Sequence, residues 1–107
     1  MVRNVNSGAA ALIEAPQQLS LRTVNAIDRQ LDDAITQRAP TVALNLSATQ
    51  VIDSAGLNWL LNAQSRLATT NITLHLVAVP PIVVDILLAT RLDSRFTISA
   101  LEEVMRA

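Results

Sequence analysis

The 107-residue chain has no cysteine, which removes disulfide frameworks, thiolate zinc sites and cysteine nucleophiles together. Its one histidine, His75, has no second imidazole with which to share a metal. Only two glycines occur, and Gly8 lies near the N-terminus, so a glycine-rich loop that cradles phosphates cannot be built. Lysine is absent, all eight basic residues being arginine, and the formal net charge is −1. A chain this close to neutral has no long-range field to hold a polyanion, which argues against nucleic-acid binding through a basic face. No apolar run approaches the roughly 18 residues needed to cross a bilayer. Asn4, Asn6, Ser7 and Gly8 interrupt the N-terminal stretch before it reaches the length of a signal-peptide core. The expectation is a cytoplasmic protein without membrane insertion, metal or cofactor.

What is present is apolar: 50% of residues are hydrophobic against 16% charged, too apolar for a disordered chain. Val2 and Val5 start one candidate strand, and the run Ala9 to Glu14, ended by Pro16, reads as another. From Ser20, apolar residues at Leu21, Val24, Ile27, Leu31 and Ile35 fall on one face of a helix that ends before Pro40. Thr41 to Leu46 is nearly all apolar, as a central strand covered on both faces would be. A second helix begins near Asp53 and Ser54 and carries Leu57, Leu60, Leu61 and Leu67.

A turn at Thr69 to Asn71 precedes a strand over Ile72 to Val79. Pro81 suits the first position of a third helix, with Ile82, Val83, Ile86 and Leu87 inward. Arg95 to Ile98 reads as a last strand. Ser99-Ala100-Leu101-Glu102 then has the form of a capping box opening a terminal helix through Met105. Alternation of this kind predicts a single α/β domain over residues 1–107, with a mainly parallel, mixed sheet of four to five strands and about four helices.

Catalytic material is sparse. His75 falls mid-strand between Leu74 and Leu76, and Asp32-Asp33 and Glu102-Glu103 are helical neighbours whose side chains diverge around the axis. The exception is Asp53-Ser54-Ala55-Gly56-Leu57, where strand, turn and helix meet over a carboxylate, a hydroxyl and a glycine. As structure alone it is a helix cap, in which the Ser54 hydroxyl accepts from the N–H of Gly56 or Leu57. As a site it lies at the carboxyl end of a strand, where α/β folds place ligands and partners. Acyl carrier proteins attach their arm to such a serine but are all-helical, against the strands here. A serine-hydrolase elbow needs glycine two residues before the nucleophile, where this chain has Ile52.

A wider series carries more. Asn45-Leu46, the pair Val51-Ile52, Asp53-Ser54-Ala55-Gly56-Leu57, Leu60-Leu61, the strand Ile72 to Val79, and Leu92 followed by Phe96 stand in that order. In this series the chain resembles the STAS domain over almost its full length, and in particular the bacterial anti-sigma factor antagonists. The resemblance implies a switch between partners, with no catalytic residue in this chain. Ser54 would be phosphorylated by a partner that is both serine kinase and anti-sigma factor, and only the unphosphorylated form would bind it. Asp53, Gly56, Leu57 and Asn58 would form the docking surface around Ser54. The alternative is a STAS subunit that regulates a transporter ATPase or sits in a signalling scaffold without a phosphate cycle. This sequence departs from the family in three places. Pro16 to Ser20 holds no acid, Thr70-Asn71 replaces a glycine pair, and Arg91 replaces a glycine. Trp59, in the second turn of the helix, is either an interface residue or part of the core edge.

Overall fold

The computed structural model describes residues 10–100 and 103–104. In chain order the elements are β1 (Ala11–Glu14), β2 (Gln18–Leu19), α1 (Val24–Thr36), β3 (Thr41–Asn45), β4 (Val51–Ile52), α2 (Ser54–Thr69), β5 (Thr73–Val77), α3 (Pro81–Ala89), a 3-10 turn (Asp93–Arg95) and β6 (Thr97–Ser99). Four strands form one sheet in the order β1-β3-β5-β6, every pair parallel, and β2 pairs with β4 in a separate two-stranded sheet. Among the described residues the large sheet is therefore purely parallel, where a mixed sheet was expected, and there are three α-helices instead of about four. The start of the expected fourth helix is visible: Glu103 and Val104 are helical, and their N–H groups donate to the Ala100 carbonyl at 3.1 and 3.3 Å. The predicted strand at Val2 and Val5, and Leu101, Glu102 and Met105 of the terminal helix, lie outside the described residues.

Strands that advance in one direction through parallel crossovers of one hand must carry their helices to one face. The core shows this arrangement. Ile13, Val42, Leu44, Leu74 and Leu76 from the sheet pack with Ile27 and Leu31 of α1, Leu60 and Leu67 of α2, and Val83 and Leu87 of α3. A smaller cluster, Ala10, Leu12, Ala43, Val77 and Val104, covers the other face. Burial on both faces explains the unbroken apolar run in β3.

Two positions depart from the sequence reading. Leu21 is 73% exposed, because α1 starts only at Val24, one turn later than the periodicity implied. Ile82 is 49% exposed, and Val83 and Leu87 alone bury the inner face of α3. Trp59 is 8% exposed and belongs to the core, which settles its place at the core edge. Its indole N–H donates to Asp28 Oδ1 at 2.9 Å, and Arg66 bridges Asp28 and Asp32, so α1 and α2 are also joined by polar contacts.

Candidate functional site

The site is built on two loops zipped together at the carboxyl end of the sheet. Thr49, 1% exposed, donates its hydroxyl to the Pro16 carbonyl at 2.8 Å. The N–H groups of Gln50 and Val51 both donate to the Gln17 carbonyl, and the side chains of Gln17 and Gln50 bond at 3.0 Å. The short β2–β4 pairing continues the zipper to Asp53, whose N–H donates to the Leu19 carbonyl at 3.2 Å. The chain then turns directly into α2.

Asp53 is the N-cap of α2, in an extended conformation at φ −93° and ψ −176°. One carboxylate oxygen accepts from the Gly56 N–H at 2.9 Å and the other from the Leu21 N–H at 3.2 Å. The cap is thus Asp53 and not Ser54, because its carboxylate reaches the donor three residues on while Ser54 is already the first helical residue. The Gly56 N–H first, with those of Leu21 and Ala55, holds the Asp53 carboxyl below the usual carboxylate range. These are bonds to the charged form, and the helix N-terminus favours that form as well.

Ser54 is exposed, and among the described residues no hydrogen bond occupies its hydroxyl. Asn58, one turn on, is exposed, and Leu57 is half-buried against the core. Gly56 is buried. A Cβ there would lie 2.0 Å from the Leu19 carbonyl oxygen, so glycine is what lets the first turn of α2 approach β2. Of the five predicted site residues, Asp53, Ser54 and Asn58 are presented to solvent, Leu57 is partly so, and Gly56 sets the approach from below. Leu21 was not singled out from the sequence. Its link to Asp53 spans 32 residues, which no local pattern encodes.

His75 serves a different place. It is half-buried in the middle of β5, and its Nδ1 lies 2.7 Å from the Ser99 hydroxyl on β6. In β5, Leu74 and Leu76 point to the core under α1, α2 and α3 while Val77 joins the opposite cluster, so alternation puts His75 on the face away from those three helices. His75, the obvious base for a nucleophilic Ser54, is thereby set on the sheet face opposite the one that α2 covers.

A family model for the STAS domain matches residues 2–104. The chain belongs to the STAS domain family. Comparison with curated proteins returns no match. Among solved structures, this STAS domain is similar to an anti-sigma factor antagonist from Thermotoga maritima, with 20% identity over 99% of this chain and 91% of that one and a TM-score of 0.82. It is also similar to the phosphorylated form of the Bacillus cell fate determinant SpoIIAA, elsewhere described as an anti-sigma factor antagonist, with 20% identity over 99% and 96% and a TM-score of 0.73. A sulfate transporter family protein from Wolinella succinogenes matches at 17% identity over 97% and 87%, with a TM-score of 0.76. These likenesses show the α/β STAS fold. Among the described residues, no helix is long and apolar enough to cross a membrane.

Proposed function

We propose that this STAS domain is a phosphorylation-regulated protein-binding module of the anti-sigma factor antagonist kind, with Ser54 as its phospho-acceptor. The observation that carries the reading is the Ser54 hydroxyl itself: exposed, without a hydrogen bond among the described residues, and set at the first position of α2 beside an Asp53 held by the Gly56 and Leu21 N–H groups. Asp53, Leu57 and Asn58 surround it as docking surface, and Gly56 holds the turn in place. A phosphate there adds about −1.5 to −2 charge at pH 7. A partner surface that fits a neutral hydroxyl beside Asp53 then meets a bulky dianion next to a carboxylate, and repulsion and desolvation both oppose docking. SpoIIAA, whose fold this chain shares, is known in a phosphorylated form, which supports the same chemistry here. In this reading the chain is a substrate and a ligand, not an enzyme. It works in the bacterial cytoplasm as one domain over residues 1–107, and its partner is an anti-sigma factor that is also a serine kinase.

The test is affinity capture of wild type, Ser54→Ala and Ser54→Asp from the source organism, with mass spectrometry of the partners and of the peptide containing Ser54. The switch predicts a kinase-like or sigma-related partner kept by Ser54→Ala and lost by Ser54→Asp, with wild type partly phosphorylated. A second reading draws on the transporter-family neighbour and on the absence of an acid in Pro16 to Ser20. It predicts one transporter or scaffold component held equally by all three variants, with Ser54 unmodified.

A further inference from the structure

Leu21 is the most exposed large apolar side chain among the described residues, at 73%, yet its backbone is fixed. Its N–H donates to Asp53 Oδ2 at 3.2 Å. The turn around it is closed by Thr23, whose hydroxyl accepts from the Ser20 N–H at 2.9 Å and donates to the Gln18 carbonyl at 2.6 Å. The N–H groups of Thr23 and Val24 return to the Ser20 carbonyl at 2.9 and 3.0 Å. A leucine swinging on a loose loop would lose much of its binding energy to ordering; one held by a closed turn has little ordering left to lose. Val51 is 48% exposed and stands two residues before the same aspartate. The other strongly exposed leucine, Leu88 on α3 at 54%, has no such tie to Asp53.

We infer that Leu21 is the apolar anchor by which this domain docks the protein that reads Ser54, and that the partner presents an apolar pocket to it. The inference rests on the function proposed for Ser54 and adds the chemistry of the partner. A leucine neither donates nor accepts, so a charged or hydrogen-bonding socket would be left unpaired against it. Filling an apolar pocket at Leu21 also expels water from the ground beside Ser54. A dianion buried in a dried contact loses far more hydration than one at a wet rim. The anchor that gives affinity is therefore also what makes the phosphate an effective switch. Asp53 acts here as a positioning residue, holding the Leu21 backbone through its N–H.

The experiment places a photoreactive phenylalanine analogue at position 21, 58 or 88 in the source organism, in backgrounds with Ser54 intact or as Ser54→Asp. The expected result is a crosslinked partner at position 21 that disappears with Ser54→Asp, the same partner at position 58, and none at position 88. A Ser54-sensitive product at 58 with none at 21 overturns the anchor while leaving the reading of Ser54 intact. A product at 21 indifferent to Ser54→Asp overturns it too, and no Ser54-sensitive product at either position sinks both. With the crosslinked partner purified, Leu21→Ala is expected to weaken binding at least ~10-fold with an unchanged unfolding temperature, and Leu88→Ala to change neither. Equal affinity for wild type and Leu21→Ala refutes the anchor.

Discussion

A methyl group at Gly56 would sit 2.0 Å from the Leu19 carbonyl oxygen and 2.7 Å from its carbon, while the same methyl would bring about 1 kcal/mol of helix propensity. The clash is with backbone and cannot be relieved by turning a side chain, so the first turn of α2 has to lift off β2 and loosen the Asp53 N–H bond to Leu19. Gly56→Ala is therefore expected to cost about 2–3 kcal/mol net, seen as a lower denaturant midpoint; unaltered stability would show that the turn shifts freely. At Asp53 the bonds are to the charged form, so its pKa is lowered in the folded chain. A depressed carboxyl contributes stability above its unfolded value, and that contribution is lost as pH falls through the folded one. Wild type and Asp53→Asn should thus differ in unfolding temperature at pH 7 and converge on acidification below the ordinary carboxylate range. A gap of constant size down to about pH 2 would exclude ionisation as the source.

α1, α2 and α3 end in the same way, and none of the three endings uses glycine. Arg38, Asn71 and Arg91 take positive φ values of 56°, 60° and 59°. In each case the following N–H returns to a carbonyl five residues back: Ala39 to Ala34, Ile72 to Leu67, and Leu92 to Leu87. The left-handed conformation costs an L-residue roughly 1–2 kcal/mol, relieved in glycine but partly repaid as lost chain entropy. Arg38→Gly and Arg91→Gly should each stabilise the fold by about 0.5–1 kcal/mol, and Asn71→Gly by less, since asparagine tolerates this region. Thermal unfolding of the single and double variants checks this, with near-additive gains expected at separated sites.

The helix endings also show where the sequence was readable. The turn at Thr69 to Asn71 and the start of α3 at Pro81 stood out through residue type, α2 and β5 through periodicity, and β3 through its unbroken apolar run. The start of α1 did not, because the spacing of Leu21, Val24 and Ile27 continues one turn past the cap at Thr23. β2 and β4, two residues each, are too short to show any period. The pentapeptide marked the site and its Asp53 cap is local to it, but the role of Gly56 depends on β2 and the tie to Leu21 on the turn after it, which only the fold brings there.

Across the whole molecule, α1, α2 and α3 share one face of the sheet and the zipped loops at its carboxyl end carry the site, so Ser54 rests on contacts it does not itself make. Removing or charging its hydroxyl deletes no hydrogen bond among the described residues. An acid at the first position of α2 gains about 0.3–1 kcal/mol from the helix N-terminus, and repulsion from Asp53 offsets part of that gain. Ser54→Asp is therefore expected to keep its unfolding free energy within about 0.5 kcal/mol of wild type, with the same amide-exchange protection in β3 and β5, the most extensively paired strands. Hydrogen exchange with a denaturant melt measures both. A loss of more than about 2 kcal/mol, or protection lost along α2, would mean that the charge works by loosening the fold. Failure of Ser54→Asp to bind would then report unfolding, whereas unchanged stability leaves the charge at the contact itself as the cause.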